Sequence, residues 1–155
     1  MKLNKTRLLL SILLCLLAGA IGSFFTATSV STWFTTLVKP SFSPPNYLFG
    51  PVWTVLYILM GISLYLVWQS KSKLKNKAIS VFSVQLILNL LWSIIFFGMR
   101  NPGLAFIEII LLWISIVTTM IYFNKISRKS MYLLIPYILW VSFASVLNYA
   151  IFVLN

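Results

Sequence analysis

The chain is expected to fold as an all-α integral membrane protein, a bundle of five transmembrane helices forming one membrane domain over 1–155. Three observations predict this. Of the 155 residues, 61% are hydrophobic and only 8% charged, whereas charge makes up about a quarter of a soluble globular chain. Five apolar runs, at about 7–28, 48–68, 78–98, 103–123 and 131–153, are each long enough to cross roughly 30 Å of hydrocarbon as a helix. No ten-residue segments of alternating polarity, as a membrane β-barrel requires, are present.

A fourth observation, where the charge lies, sets the orientation. With five spans, ten of the twelve Lys and Arg residues fall on the side of the N-terminus, in the leader, the second loop (Lys71, Lys73, Lys75, Lys77) and the fourth (Lys125, Arg128, Lys129). Lys39 and Arg100 are alone on the other. Basic residues stay on the cytoplasmic side, so the expectation is a multi-pass cell-membrane protein with a cytoplasmic N-terminus and with its C-terminus and first loop outside. The formal charge of +11 then meets anionic lipid head groups rather than nucleic acid.

Helix 1 follows Lys2, Lys5 and Arg7. Ala18-Gly19-Ala20 resembles a signal-peptide cleavage site, but the apolar run continues past it to Phe25, too long for a signal core, so it is read as a span. Its single Cys15 allows no intrachain disulfide and is read as a small buried residue. Gly19, Gly22 and Ser23 let another helix or a flat ligand approach closely; packing alone also accounts for them.

The segment 29–47 is read as a folded cap. It and the following turn hold Pro40, Pro44, Pro45 and Pro51, which stiffen the backbone. Trp33, Phe34, Phe42, Tyr47 and Phe49 give it something to pack with. Helix 2 begins near Gly50-Pro51, since proline suits a first helical position, and places Trp53, Tyr57, Met60 and Leu64 on one face. Trp68 ends it at the membrane interface.

Helix 3 carries Gln85, Asn89, Trp92 and Phe96 at i, i+4, i+7 and i+11. Amides in lipid are costly unless paired, so this face looks into the bundle, a cavity or a second subunit; bonding to neighbouring helices is the plainer alternative. Asn101-Pro102-Gly103 is a tight turn, making helices 3 and 4 antiparallel neighbours. Helix 4 holds the one carboxylate, Glu108, either a functional group or a structural one that is hydrated or paired with Arg100 or a loop donor. Helix 5 bends or starts at Pro136 and presents Trp140, Phe143, Ala144, Leu147, Asn148 and Ile151.

The topology gathers Trp53, Trp92, Glu108 and Asn148 in the half of the bilayer next to the cap, with Asn89 and Trp140 near the middle. That is the layout of a capped pocket, mostly apolar with a few placed hydrogen-bonding groups. Without His, and with one Cys and one acid, the chain has no His-based triad, paired-carboxylate site or typical zinc site. It offers no His for the metal of a tetrapyrrole. Ring stacking and amide or indole hydrogen bonds suit large flat hydrophobic ligands.

The blocks WFTTLVKPSFSPP, FGPVWTVLY with MGISLYLVW, QLILNLLWSIIFFG and PYILWVSFASVLNY, in order from about Gly19 to Asn148, resemble the family of tryptophan-rich sensory proteins and translocator proteins, which includes the peripheral benzodiazepine receptor; the resemblance is to a bacterial member. It implies a five-helix bundle, a homodimer, and binding of porphyrins and isoquinoline-type drug ligands, with cholesterol bound in animal members. It also implies light-dependent protoporphyrin degradation in some members, for which Trp53 and Trp140 match the implicated tryptophans. Asn89, Ala144 and Asn148 match pocket or sterol-site positions. Animal members follow the last block with an arginine; here Tyr149 is followed by AIFVLN, which lacks the basic residue of the proposed cholesterol motif.

The expected ligand-binding set is Gly22, Pro44, Phe49, Trp53, Tyr57, Gln85, Asn89, Trp92, Glu108, Trp140, Phe143, Ala144, Leu147 and Asn148, with Trp53 and Trp140 as candidate catalytic residues and no metal site. No cofactor is required, porphyrin serving as ligand or substrate. A small secondary transporter built on Glu108 is the alternative, although five spans do not divide into two inverted halves.

Overall fold

The structure, a computed structural model described over residues 3–155, is helical throughout its ordered elements, and five helical stretches are long and apolar enough to span a membrane. They are α1 (Lys5–Val30), α3 (Phe49–Trp68), α4 (Lys75–Ser93), α5 (Pro102–Asn124) and α7 (Ile135–Leu154). Short helices α2 (Trp33–Thr36) and α6 (Arg128–Leu133) sit at opposite ends of the bundle.

Local chemistry explains the element ends. Asn4 caps α1, its side chain accepting from the Arg7 N–H at 3.0 Å, and its own N–H donates to Tyr65 on α3 at 3.0 Å. Asn101 caps α5 in the same way through the Leu104 N–H, with Pro102 in the first turn where its missing N–H costs nothing. Arg100, just before, adopts the left-handed conformation at φ 53° that lets the chain reverse. Pro136 lies in the first turn of α7 and separates it from α6, so the fifth span, expected at 131–153, runs from Arg128 to Leu154 in two pieces.

Helix α4 does not finish as an α-helix. Its last turn, Ile94–Gly98, widens into a π-helix, the Met99 N–H reaching back to the Ile94 carbonyl at 2.8 Å. The Ser29 hydroxyl of α1 donates to the Phe97 carbonyl at 2.8 Å inside the protein.

In the packing, α1 lies between α3 and α4, α5 lies between α4 and α7, and α6 folds back on α3. α7 barely touches α3. At the closest approach of α1 and α3, a Cβ on Gly61 would stand 2.5 Å from the Ile12 Cα, so only glycine fits. Ser63 and Ser130 bind each other's carbonyls, at 2.7 and 3.0 Å, and fasten α6 to α3 without leaving a donor unpaired in the interior. Phe82 and Phe123 stack at 5.6 Å between α4 and α5. Outward faces such as Leu9, Leu13, Leu17 and Ile107 are exposed and apolar, as contact with lipid rather than water demands.

Candidate functional site

Beneath α2 the helices part around a cavity of about 450 Å³, within the range of small-molecule sites. Of the fourteen residues expected to bind ligand, nine line it: Gly22 from α1, Phe49, Trp53 and Tyr57 from α3, Trp92 from α4, and Trp140, Ala144, Leu147 and Asn148 from α7. None of its lining residues is charged.

The aromatic walls are held in place. Trp53 stacks on Tyr57 with centroids 5.6 Å apart and meets Tyr137 edge-on at 6.3 Å. Trp140 meets Phe49 edge-on at 6.2 Å. Trp92 stacks on Phe96 at 5.0 Å, and its indole N–H donates to the Asn148 carbonyl oxygen at 3.0 Å; the Asn148 amide in turn donates to the Pro102 carbonyl at 2.8 Å. One asparagine therefore fixes an indole of α4 against the start of α5. The Trp53 and Trp140 indole N–H groups have no hydrogen-bond partner among the described residues.

The structure does not bring five expected residues into the lining. Gln85 and Asn89 are buried at 1% and 3% exposure and are used within the bundle. The Tyr57 hydroxyl donates to the Asn89 carbonyl oxygen. The Asn89 amide donates to the Tyr137 hydroxyl at 2.9 Å, which donates to the Gln85 carbonyl oxygen at 2.8 Å. This chain joins α3, α4 and α7 behind the cavity wall, so the two side chains bond neighbouring helices rather than line the cavity, Asn89 through both ends of its amide and Gln85 through its oxygen alone, its buried amide nitrogen having no partner among the described residues. Glu108 on α5 is 6% exposed with no hydrogen-bond partner for either carboxylate oxygen among the described residues, so neither Arg100, exposed in the turn, nor a loop donor pairs with it. Phe143 points into an apolar groove between α3 and α7, against Trp140 at 5.6 Å and Phe42 at 6.3 Å. Pro44 belongs to the loop and shapes it without lining the cavity.

Phe96, placed by its spacing on the inward face, lines the cavity, but Phe97 and Phe34 escaped the sequence reading. Phe96 and Phe97 both face inward, at 2% and 6% exposure, because the π turn changes the rotation between neighbours that a regular helix would impose. Phe34, read as cap packing, reaches down from α2 into the lining, with centroids 6.5, 6.2 and 5.7 Å from Phe49, Phe96 and Phe97. Its position depends on α2, a helix of one turn with no periodicity to announce it.

Five membrane-length helices around an aromatic cavity roofed by a proline-rich cap define a multi-pass membrane protein of the binding or sensory class. The comparisons make this specific: the chain belongs to the TspO/MBR family, whose model matches residues 11–154. It is 48% identical over 153 residues to the tryptophan-rich protein TspO of Archaeoglobus fulgidus and 49% identical over 157 residues to that of Chlorobaculum tepidum, with 99% of both chains covered in each case. It is 36% identical over 134 residues to the human translocator protein, covering 84% of this chain and 79% of that one.

Proposed function

We propose that the protein binds porphyrins and related flat hydrophobic ligands, isoquinoline-type compounds among them, in the cavity between Trp53 and Trp140. One observation carries this reading: a charge-free cavity of about 450 Å³ lined by two tryptophans, Trp53 and Trp140, that stack on or against neighbouring rings. Aromatic faces supply stacking area, and the two indole N–H groups orient a ligand that carries acceptors on its rim. The N-terminus and the lysine-rich end are assigned to the cytoplasm, and the cap to the outside.

Titrating protoporphyrin into the purified protein and following the porphyrin absorbance tests the reading. Combining Trp53→Phe with Trp140→Phe is expected to weaken binding by about tenfold or more, since two hydrogen bonds and two indole faces are lost. An unchanged Kd overturns it.

A light-driven oxidation in the same cavity is a second reading, with porphyrin as photosensitiser, Trp53 or Trp140 as electron donor to the excited ring, and dioxygen as the oxidant that takes up the electrons. It is favoured by the stack of Trp53 on Tyr57, which places a phenol directly behind the indole. Illuminated loss of porphyrin should then stop in tryptophan variants that still bind it. Equal loss with and without protein excludes this reading.

A further inference from the structure

We infer that ligand reaches the cavity sideways from the bilayer, through a slot between α1 and α3 beside the cap, and not through the cap itself. The inference rests on the cavity being a ligand site.

Four of the cavity's lining residues are exposed on the outside of the bundle: Ala20 and Ser23 on α1, and Gly50 and Thr54 on α3. Every other lining residue is buried or half-buried. A residue that is both lining and exposed marks a mouth, and all four fall on one pair of helices. The reason lies in the packing: α1 and α3 are pressed together at Gly61 and again where Tyr57 fills the space beside Gly19. Towards the cap the facing residues are small, and a Cβ on Gly50 would meet nothing within 4 Å.

The chemistry of the mouth suits apolar traffic. The Ser23 hydroxyl donates to the Ala20 carbonyl at 2.8 Å and the Thr54 hydroxyl to the Gly50 carbonyl at 2.9 Å. Both hydroxyls are thus satisfied within their own helices, and the slot demands neither water nor a polar partner from what passes it.

The roof is shut by contrast. Phe34 plugs it at 2% exposure, with the Lys39 ammonium 4.8 Å from its ring. The loop is clamped at Val38, whose N–H donates to the Asn155 side chain and whose carbonyl accepts from it, both at 3.0 Å. On the far side, the apolar groove between α3 and α7 is separated from the cavity by the Trp140 ring, which lines both. The slot specifies ligands that are dissolved in the membrane before they bind.

The test is stopped-flow binding of protoporphyrin to protein in liposomes. Gly50→Phe, where a Cβ meets nothing within 4 Å, and Thr54→Phe, at an exposed lining position, place a ring at the slot, and each is expected to slow association by about tenfold and to slow dissociation as well. Asn155→Ala unclamps the roof and is expected to leave both rates alone. Association unchanged in both slot variants overturns the inference, as does acceleration by Asn155→Ala or slowing by Val55→Phe, which fills the α3–α7 groove instead. Failure of the unmodified protein to bind porphyrin at all removes the ligand reading itself, a different result from binding with an unaltered rate.

Discussion

Tyr137 is wholly buried, and its hydroxyl is the junction through which α4 and α7 are joined, accepting from Asn89 and donating to Gln85. Replacing it with phenylalanine removes two hydrogen bonds and strands an amide donor and an acceptor where no water reaches them. Each stranded group costs about 1–3 kcal/mol, so Tyr137→Phe is expected to lower the thermal unfolding midpoint in detergent clearly, as followed by circular dichroism. Trp113→Phe breaks a comparable bond, from its indole N–H to the Ser142 hydroxyl at 2.8 Å. Trp113 is exposed, however, and the loss there should be within about 1 kcal/mol. Equal destabilisation by the two variants contradicts the role given to the Tyr137 junction. The sequence shows that Gln85 and Asn89 must be paired, because an amide in lipid needs a partner. It does not show that the partner is a tyrosine 48 residues from Asn89, since that depends on how α7 is rotated.

Among the elements, α1 and α3 offer the sharpest contrast between two glycines. Gly61 stands where a Cβ would lie 2.5 Å from the Ile12 Cα and 2.9 Å from its backbone nitrogen. Backbone cannot swing aside as a side chain can, so Gly61→Ala must push the helices apart, at a cost of about 1–3 kcal/mol. Gly50, in the first turn of α3, faces open space and has no positive φ, and Gly50→Ala should be neutral or stabilise by up to about 1 kcal/mol through reduced freedom of the unfolded chain. Unfolding in graded denaturant compares the pair; a reversed order refutes the packing account. The beginnings of α5 and α7 were legible because Asn101-Pro102 and Pro136 mark ends by backbone chemistry. The π turn at Ile94–Gly98 carries no such mark. It was visible only as two adjacent phenylalanines in an apolar run, so regular helical spacing predicted Phe96 inside and said nothing of Phe97.

For the molecule as a whole, the sequence reveals the spans and the depth at which the aromatic residues gather, because both follow from length and from counting residues inward from each end. It leaves open which side chains of a helix reach the cavity and which serve its neighbours, because that depends on rotations and crossing points set by contacts such as Gly61 with Ile12. Orientation rests on charge alone: the lysine-rich loops beside α6 at one end, Lys39 and Arg100 at the other. The one native cysteine makes a direct test possible, since Cys15 is 0% exposed within the bundle and should be silent to a membrane-impermeant maleimide. Ser41→Cys puts a thiol in the exposed cap loop and Lys73→Cys puts one in the exposed loop at the basic end. In intact cells Ser41→Cys should label and Lys73→Cys should not, and lysis should expose the second. Labelling in the opposite sense places the cap in the cytoplasm. The cavity would keep its geometry, but its slot would then open to the inner leaflet, and ligand would be drawn from that side of the membrane.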